Sequence, residues 1–463
     1  MKCVRISPGH GGEWEAPKLA GADYIEVPLD SFDRIPPGKL WLLASRYGHP
    51  VIATLDGDSR SQESAKLLEK AIQAHFDLIE ISLEMDVEAR TRLAALARKS
   101  GVKVIVSHRM HRPPLSADEL VRSFRKCADA GAEVLKLSVP LSKVRELRFV
   151  LDALRISKGA LTRFLAVRGP LSTLASLAPS ELVYGGTRGQ EPLDMDILSK
   201  RGEHTRLFAL LGAPPHHTLM LDMLNAGFSA LGADCIAVPV MPDPADLGDT
   251  ITFLGELGFE GMVAGAPFRE QMHKHISTQP GEGHGSVSAA IMRNGKLVGH
   301  DTVGPAVLAA LDAVGIRLRR RKALVLGSGG AAHAVATALV SGGVSVLIAA
   351  RRLKKALALA SQAGCRAAPL DKVPSILKCT NLVVSTVPAD SSIIPANMLR
   401  REMVVVDLVC EPNETPLLEA ARKAGAMAVP GNAVLLHHAA GALKLFTGTR
   451  PPLHALEKMM ETD

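Results

Sequence analysis

The stretch ALVLGSGGAAHAVATAL, residues 323–339, constrains the fold more than any other part of the chain. Ala323 to Leu326 form a short apolar run that reads as a buried parallel strand. Gly327, Gly329 and Gly330 follow at once, and Ala331 opens an alanine-rich helix. Strand, glycine turn and helix together make a phosphate-binding unit. The glycines let the backbone approach a pyrophosphate, and the free N–H groups of the helix start point at it. A second apolar run, 344–350 (VSVLIAA), follows and ends in Arg351-Arg352. An acid about 20 residues past the glycines would hold ribose hydroxyls, whereas a basic residue suits a 2′-phosphate. Arg351, Arg352, Lys354 and Lys355 therefore point to NADP; the plainer alternative is a solvated basic helix start.

The chain has 463 residues, too many for one core, so two or three domains are expected. Its net charge of +7 suits anionic small molecules. Nucleic acid is not expected as a partner, because no basic run is interleaved with aromatics, which make up only 3% of the chain. The densest basic run, 317–322 (RLRRRK), reads as a solvated turn. Six cysteines are scattered without a CxxC pair, so neither a metal site nor a disulfide framework is indicated, and the low density suits the cytoplasm. No apolar run reaches the roughly 18 residues of a membrane span, and the N-terminus lacks the apolar core of a signal peptide, so no membrane partner is expected.

Between residues 20 and 200, apolar runs alternate with helical segments. The strand candidates are 22–27, 40–44, 51–55, 78–83, 102–106, 134–137, 164–167 and 182–184. Helices are expected at 65–75, 88–99, 117–130 and 143–155. This alternation argues for an α/β fold with a parallel sheet, and about eight strands in one region favour a closed (β/α)8 barrel. Function in such a barrel sits at the strand C-termini.

Two residues stand out by that rule. Lys136 lies inside the apolar strand AEVLKLSV. Burial disfavours the ammonium and lowers its pKa, and a neutral amine captures carbonyls, so Lys136 is a candidate Schiff-base lysine. A lysine reaching along the barrel to water is the alternative. His108 ends the preceding strand candidate and could move protons near neutral pH, with His111 as a rival.

Several blocks in this half resemble type I 3-dehydroquinate dehydratase. They are 22–30 (ADYIEVPLD), Ser107-His108 with prolines at 113–114, the helix 117–130, and 131–136 (GAEVLK). The resemblance implies that Lys136 forms an imine with the substrate ketone. It implies that His108 moves the proton of the adjacent carbon and that Glu26 orients the pair. Arg168 falls near the family's carboxylate-binding arginine, and Gln190 resembles its substrate-loop glutamine, with Thr187 where a serine is usual. Two arginines of the family are replaced, by Pro28 and by Asp56-Gly57.

The second half is read as a polar link at 194–206, strands at 207–211, 235–240, 261–264 and 288–292, and a Rossmann unit over about 320–430. It resembles shikimate dehydrogenase through LGSGGAAHAV, Arg351-Arg352, VVSTVP, DLVCEPNETPLLEAARKAGA and LLHHAAGALKLFTG. The expected domains are therefore a barrel at 1–203, a substrate domain at 204–315, and an NADP-binding domain at 316–463 whose last helices return to the substrate domain. The family's lysine–aspartate pair falls on Arg269 and Val303. Its carboxylate-holding serines fall on His216 and Thr218, its asparagines on Val263 and Ser288, and its glutamine on His438. Arginine does not serve as a general base.

Three functions remain open on this reading. One is a bifunctional shikimate-pathway enzyme, converting 3-dehydroquinate to 3-dehydroshikimate and reducing it with NADPH; a homodimer is compatible with it. The second joins the dehydratase to a nucleotide-binding scaffold or sensor. The third is an oxidoreductase for another acidic substrate, gripped by His216, His217, Arg269 and His438.

Overall fold

The computed structural model describes residues 2–5, 23–32, 35–46, 48–57, 61–157, 161–169, 171–177, 182–185, 202, 204–212, 218–265, 267–277, 287–389 and 393–461. The chain divides into two compact units, the first built on 1–203 and the second on 204–212, 217–237 and 254–463. Among the described residues no helix is long and apolar enough to cross a membrane.

The first unit is a closed barrel of eight parallel strands in sequential order. They are β1 (Lys2–Arg5), β2 (Tyr24–Pro28), β3 (Val51–Thr54), β4 (Leu78–Ser82), β5 (Lys103–Arg109), β6 (Val134–Pro140), β7 (Thr162–Arg168) and β8 (Leu182–Gly185). Polar side chains start the intervening helices at the expected places. Ser61, Asp86 and Ser116 each accept the free N–H groups of the first turn that follows.

Eight strands were expected and eight are present, but one member differs. The run 40–44 lies in a helix, Pro37–Ser45, and β1 takes its place. Proline at the helix start presets φ, and Leu40 and Ala44, one turn apart, are both buried while Leu42 is exposed. Apolar content alone does not separate these periods over five residues.

Cys3, Ile52, Leu78, Ile105, Val134 and Phe164 form one buried cluster, with Tyr24 packed against it. Residues drawn from seven successive strands meet only inside the barrel. Side chains alternate along a strand, so the residues two positions on also point inward. These are Arg5, Glu26, Thr54, Glu80, Ser107, Lys136 and Ala166. An apolar floor thus carries a polar layer on its C-terminal side.

The second unit holds two sheets. In the first, β9 (Arg206–Leu211), β10 (Cys235–Val240) and β11 (Phe259–Ala264) continue into antiparallel β12 (Ala289–Arg293) and β13 (Lys296–His300), in the order β10-β9-β11-β12-β13. The second comprises β14 (Lys322–Leu326), β15 (Ser345–Ala350), β16 (Arg366–Pro369), β17 (Leu382–Ser385), β18 (Val404–Asp407) and β19 (Met427–Val429). Its order, β16-β15-β14-β17-β18-β19, is all parallel and reverses direction beside β14, as in a dinucleotide-binding fold. Apolar residues on both faces of β14 and β17 bury it between two helical layers.

Candidate active sites

Lys136 is 6% exposed and points into the barrel. Its Nζ donates to Glu26 Oε2 at 2.8 Å and to Glu80 Oε2 at 2.6 Å. Glu80 also accepts from Thr54 Oγ1 at 3.0 Å and from Ser107. Glu26 accepts from Arg5 Nη1 at 3.2 Å, and Arg5 reaches on to Asp56. Burial by itself lowers the Lys136 pKa, but the two carboxylates outweigh it and hold the amine above the ordinary lysine range. Burial raises Glu80, and Lys136 more than reverses that, leaving it below the ordinary carboxylate range. The resting amine is therefore an ammonium, contrary to the expectation from burial in an apolar strand. Its proton has a carboxylate oxygen within hydrogen-bond reach on two sides.

His108 does not join this cluster. The register pairs Ser107 with Lys136 and His108 with Leu137. Ser107 therefore shares the inner face with Lys136, and His108 shares the outer face with Leu137, beneath the helices. The charged groups around His108 are Glu84, Lys126, His111 and Glu119, and burial pushes its pKa down. His111 is exposed and pairs with Glu84 at 3.1 Å. The expected lysine–histidine pair is corrected to a lysine held by two glutamates, of which Glu80 was not anticipated. Strand parity carries the signal: counted from Ile105, inward positions are 107 and 109. Arg168 lies at the end of β7 on the inward face and donates to the Met110 carbonyl. Thr187, Gln190, His216 and His217 lie outside the described residues.

In the second unit, the glycine loop joins β14 to the helix Gly330–Ser341. Gly327 has φ +122°, and a Cβ there would stand 2.3 Å from Thr386 Oγ1. That hydroxyl is fixed by its bond to the Leu326 carbonyl at 2.7 Å, so it has no room to retreat. Gly329 and Gly330, with Ala331 after them, lead directly into the helix N-terminus. Arg351 and Arg352 are exposed at the end of β15, the strand beside β14. Lys355 donates to Glu270 Oε2 at 2.6 Å, and Glu270 Oε1 lies 3.3 Å from where a Gly329 Cβ would stand. The loop, the helix start and the basic turn fit a phosphorylated dinucleotide. Gly327→Ala is expected to cost about 1–3 kcal/mol in strain and to weaken NADPH binding at least tenfold. Fluorescence titration of NADPH reads the affinity; unchanged binding would contradict the role given to this turn.

Near the end of β11, Arg269 donates from Nε to the Ala264 carbonyl at 2.8 Å. Burial lowers its pKa, and Asp301 opposes that. Asp301 accepts from the Val303 amide at 2.9 Å and the Gly304 amide at 3.2 Å, where the helix Val303–Ala313 begins. Burial raises the Asp301 pKa despite these bonds. His438 is 3% exposed, and its Nδ1 lies 2.8 Å from Thr302 Oγ1, which lies 2.9 Å from Ser288 Oγ. Burial drives the His438 pKa down to about 3, so its ring is neutral. Thr218 caps the helix Leu219–Ala230, its Oγ1 accepting from the Leu221 amide at 3.3 Å. Val303, 3% exposed, belongs to the dinucleotide domain's apolar cluster. The polar set here is thus Arg269, Asp301, Ser288, Thr302 and His438.

The first unit is a closed parallel barrel with a buried lysine held between two glutamates, and the second carries the glycine turn and parallel sheet of a dinucleotide-binding fold. Comparison with known proteins names both. The family model for type I 3-dehydroquinase matches residues 11–161, and that for shikimate / quinate 5-dehydrogenase matches residues 309–422. The shikimate dehydrogenase (NADP(+)) of Methanosarcina mazei is 31% identical over 270 residues, spanning 55% of this chain and 96% of that protein. That of Methanocella arvoryzae is 32% identical over 262 residues, spanning 54% and 97%. A crystal structure of the Thermus thermophilus shikimate 5-dehydrogenase, solved with NADP(H) and shikimate, superposes with TM-score 0.50 at 31% identity, covering 55% of this chain and 98% of that one. The chain belongs to the shikimate dehydrogenase family through its second part, and carries a type I dehydroquinase domain before it.

Proposed function

We propose that the chain dehydrates 3-dehydroquinate to 3-dehydroshikimate at Lys136, and reduces 3-dehydroshikimate slowly with NADPH in its second unit. The observation that carries the first step is the Lys136 ammonium, enclosed in the barrel between Glu26 and Glu80. When the ketone arrives, Nζ passes its proton to a carboxylate and attacks the carbonyl carbon. The carbinolamine oxygen leaves as water, taking that proton, and an iminium remains. Loss of the adjacent C–H proton and of the β-hydroxyl as water gives the conjugated iminium, and hydrolysis returns the amine. In this assignment the carboxylates carry the protons, because His108 faces the helices. Glu80→Gln is accordingly expected to lower dehydration about 10²–10⁴-fold, and His108→Gln less than about threefold. The reverse order of these two effects would overturn the carboxylate assignment.

In the second unit, NADPH supplies a hydride when bound. Arg351 and Arg352 fit its 2′-phosphate, and the names of the relatives agree with NADP. Arg269 grips the substrate carboxylate or carbonyl. Asp301 is the carboxyl group that faces it, with burial keeping its pKa up. Arg269 in place of an amine, and Val303 in place of an acid, also favour a second reading, in which this unit binds nucleotide for another acidic substrate or as a scaffold. Borohydride trapping with 3-dehydroquinate tests the barrel: the adduct must map to Lys136. NADPH oxidation with 3-dehydroshikimate tests the second unit: no turnover above background would leave the second reading.

A further inference from the structure

The phosphate site of the second unit has an anion of the chain's own laid across it. Glu270 lies in the short helix Arg269–Met272, which follows β11. That helix has a fixed base: Phe268 and Met272 are buried, and Arg269 is tied to the Ala264 carbonyl. From this base the Glu270 side chain, 46% exposed, reaches to the dinucleotide sheet. Its Oε2 accepts from Lys355 Nζ at 2.6 Å, and its Oε1 lies 3.3 Å from the place of a Gly329 Cβ. One carboxylate thus spans from the glycine turn, where a pyrophosphate fits, to the helix Leu353–Ala363, whose basic start suits a 2′-phosphate. The cations there are unevenly engaged. Arg351, Arg352 and Lys354 are exposed and make no ion pair among the described residues, whereas Lys355 is paired with Glu270.

We propose that Glu270 is a built-in competitor for the nucleotide's phosphates: it holds Lys355 at rest, yields it to the 2′-phosphate of NADPH, and so sets how far NADPH is preferred to NADH. A half-exposed ion pair is worth little, so the exchange is easy. A phosphate is the stronger partner, because it brings more charge and more acceptor oxygens to the lysine. The carboxylate also repels the pyrophosphate, which both nucleotides carry. It therefore weakens both, and NADPH more, since only NADPH has a use for the lysine that Glu270 occupies. This proposal rests on the NADP reading of the second unit.

Fluorescence titration of the full chain with NADPH and with NADH tests it, at low ionic strength where screening is least. Glu270→Gln keeps the size of the side chain and removes its charge. It is expected to tighten NADPH binding about fivefold and NADH binding about twofold. Lys355→Met completes the cycle. It should weaken NADPH binding about threefold in the Glu270→Gln background, where the lysine is free, and by less in the parent. Glu402→Gln is the charge control. It breaks an exposed pair with Arg400 just before β18, at the end of the sheet away from the glycine turn, and should leave both affinities unchanged. Unchanged or weaker NADPH binding in Glu270→Gln would overturn the competition and leave the nucleotide site standing. So would a gain as large for NADH as for NADPH. No saturable NADPH binding by the parent or by Glu270→Gln would overturn the NADP reading itself, and the competition with it.

Discussion

Replacement of Lys136 by arginine is expected to eliminate the borohydride-trapped adduct and to lower dehydration of 3-dehydroquinate by about 10⁴-fold or more, since the nucleophile itself is removed. Arginine is the more informative replacement than methionine. Methionine would leave Glu26 and Glu80 buried together with only the Arg5 contact to Glu26 to offset them, and like charges at such a site raise pKa values and destabilise the fold. A loss of activity would then have two explanations. Arginine keeps a charge between the carboxylates, which Lys136 now meets at 2.8 and 2.6 Å, but it stays protonated and does not condense with a ketone. Thermal melting followed by circular dichroism should place Lys136→Arg within a few degrees of the parent, whereas Lys136→Met should melt well below it. An adduct that persists in Lys136→Arg, for example on Lys143, would end the assignment of the barrel's chemistry. So would dehydration at the parent rate.

The parts of this molecule that were legible in the sequence are those set by contacts close along the chain. The glycine turn at 327–330, the strand before it and the basic turn at Arg351-Arg352 depend on neighbours within a few tens of residues, and all lie where the pattern put them. The charge state of Lys136 was not legible. Glu26 is 110 residues away and Glu80 is 56, so an apolar local context suggested a neutral amine while the closed barrel brings two anions to it. His108 shows a second limit. Its neighbour Ser107 and the following Arg109 are the inward residues, and one position of parity separates a histidine inside the barrel from one beneath the helices. The signal lies in the alternation from Ile105, which turns 107 and 109 inward and 108 outward. The segment 40–44 failed for a simpler reason. Five apolar residues fit either period, and the prolines before them decide for helix.

Arg269→Lys is expected to raise NADPH-dependent reduction of 3-dehydroshikimate by about 10–10²-fold. Reduction of a ketone needs a hydride at carbon and a proton at oxygen. A guanidinium can hold the oxygen by hydrogen bonds, but it parts with no proton near neutral pH. A lysine in the same enclosed place meets two opposing influences. The burial that lowers Arg269 would lower an ammonium too, and Asp301 would raise it, as it raises Arg269. The balance leaves an amine that can give up its proton in the transition state and recover it from water. Asp301 faces a cation in either case, since the Arg269 charge already opposes the burial that raises its pKa. Full recovery is not expected, since Val303 still offers no acid and sits in an apolar cluster. Steady-state NADPH oxidation with 3-dehydroshikimate measures the effect, and NADPH titration confirms that the nucleotide site is intact. Should Arg269→Lys bind NADPH as the parent does and yet show no gain in rate, proton supply at position 269 is not what limits this unit, and its substrate must be sought among other acidic ketones.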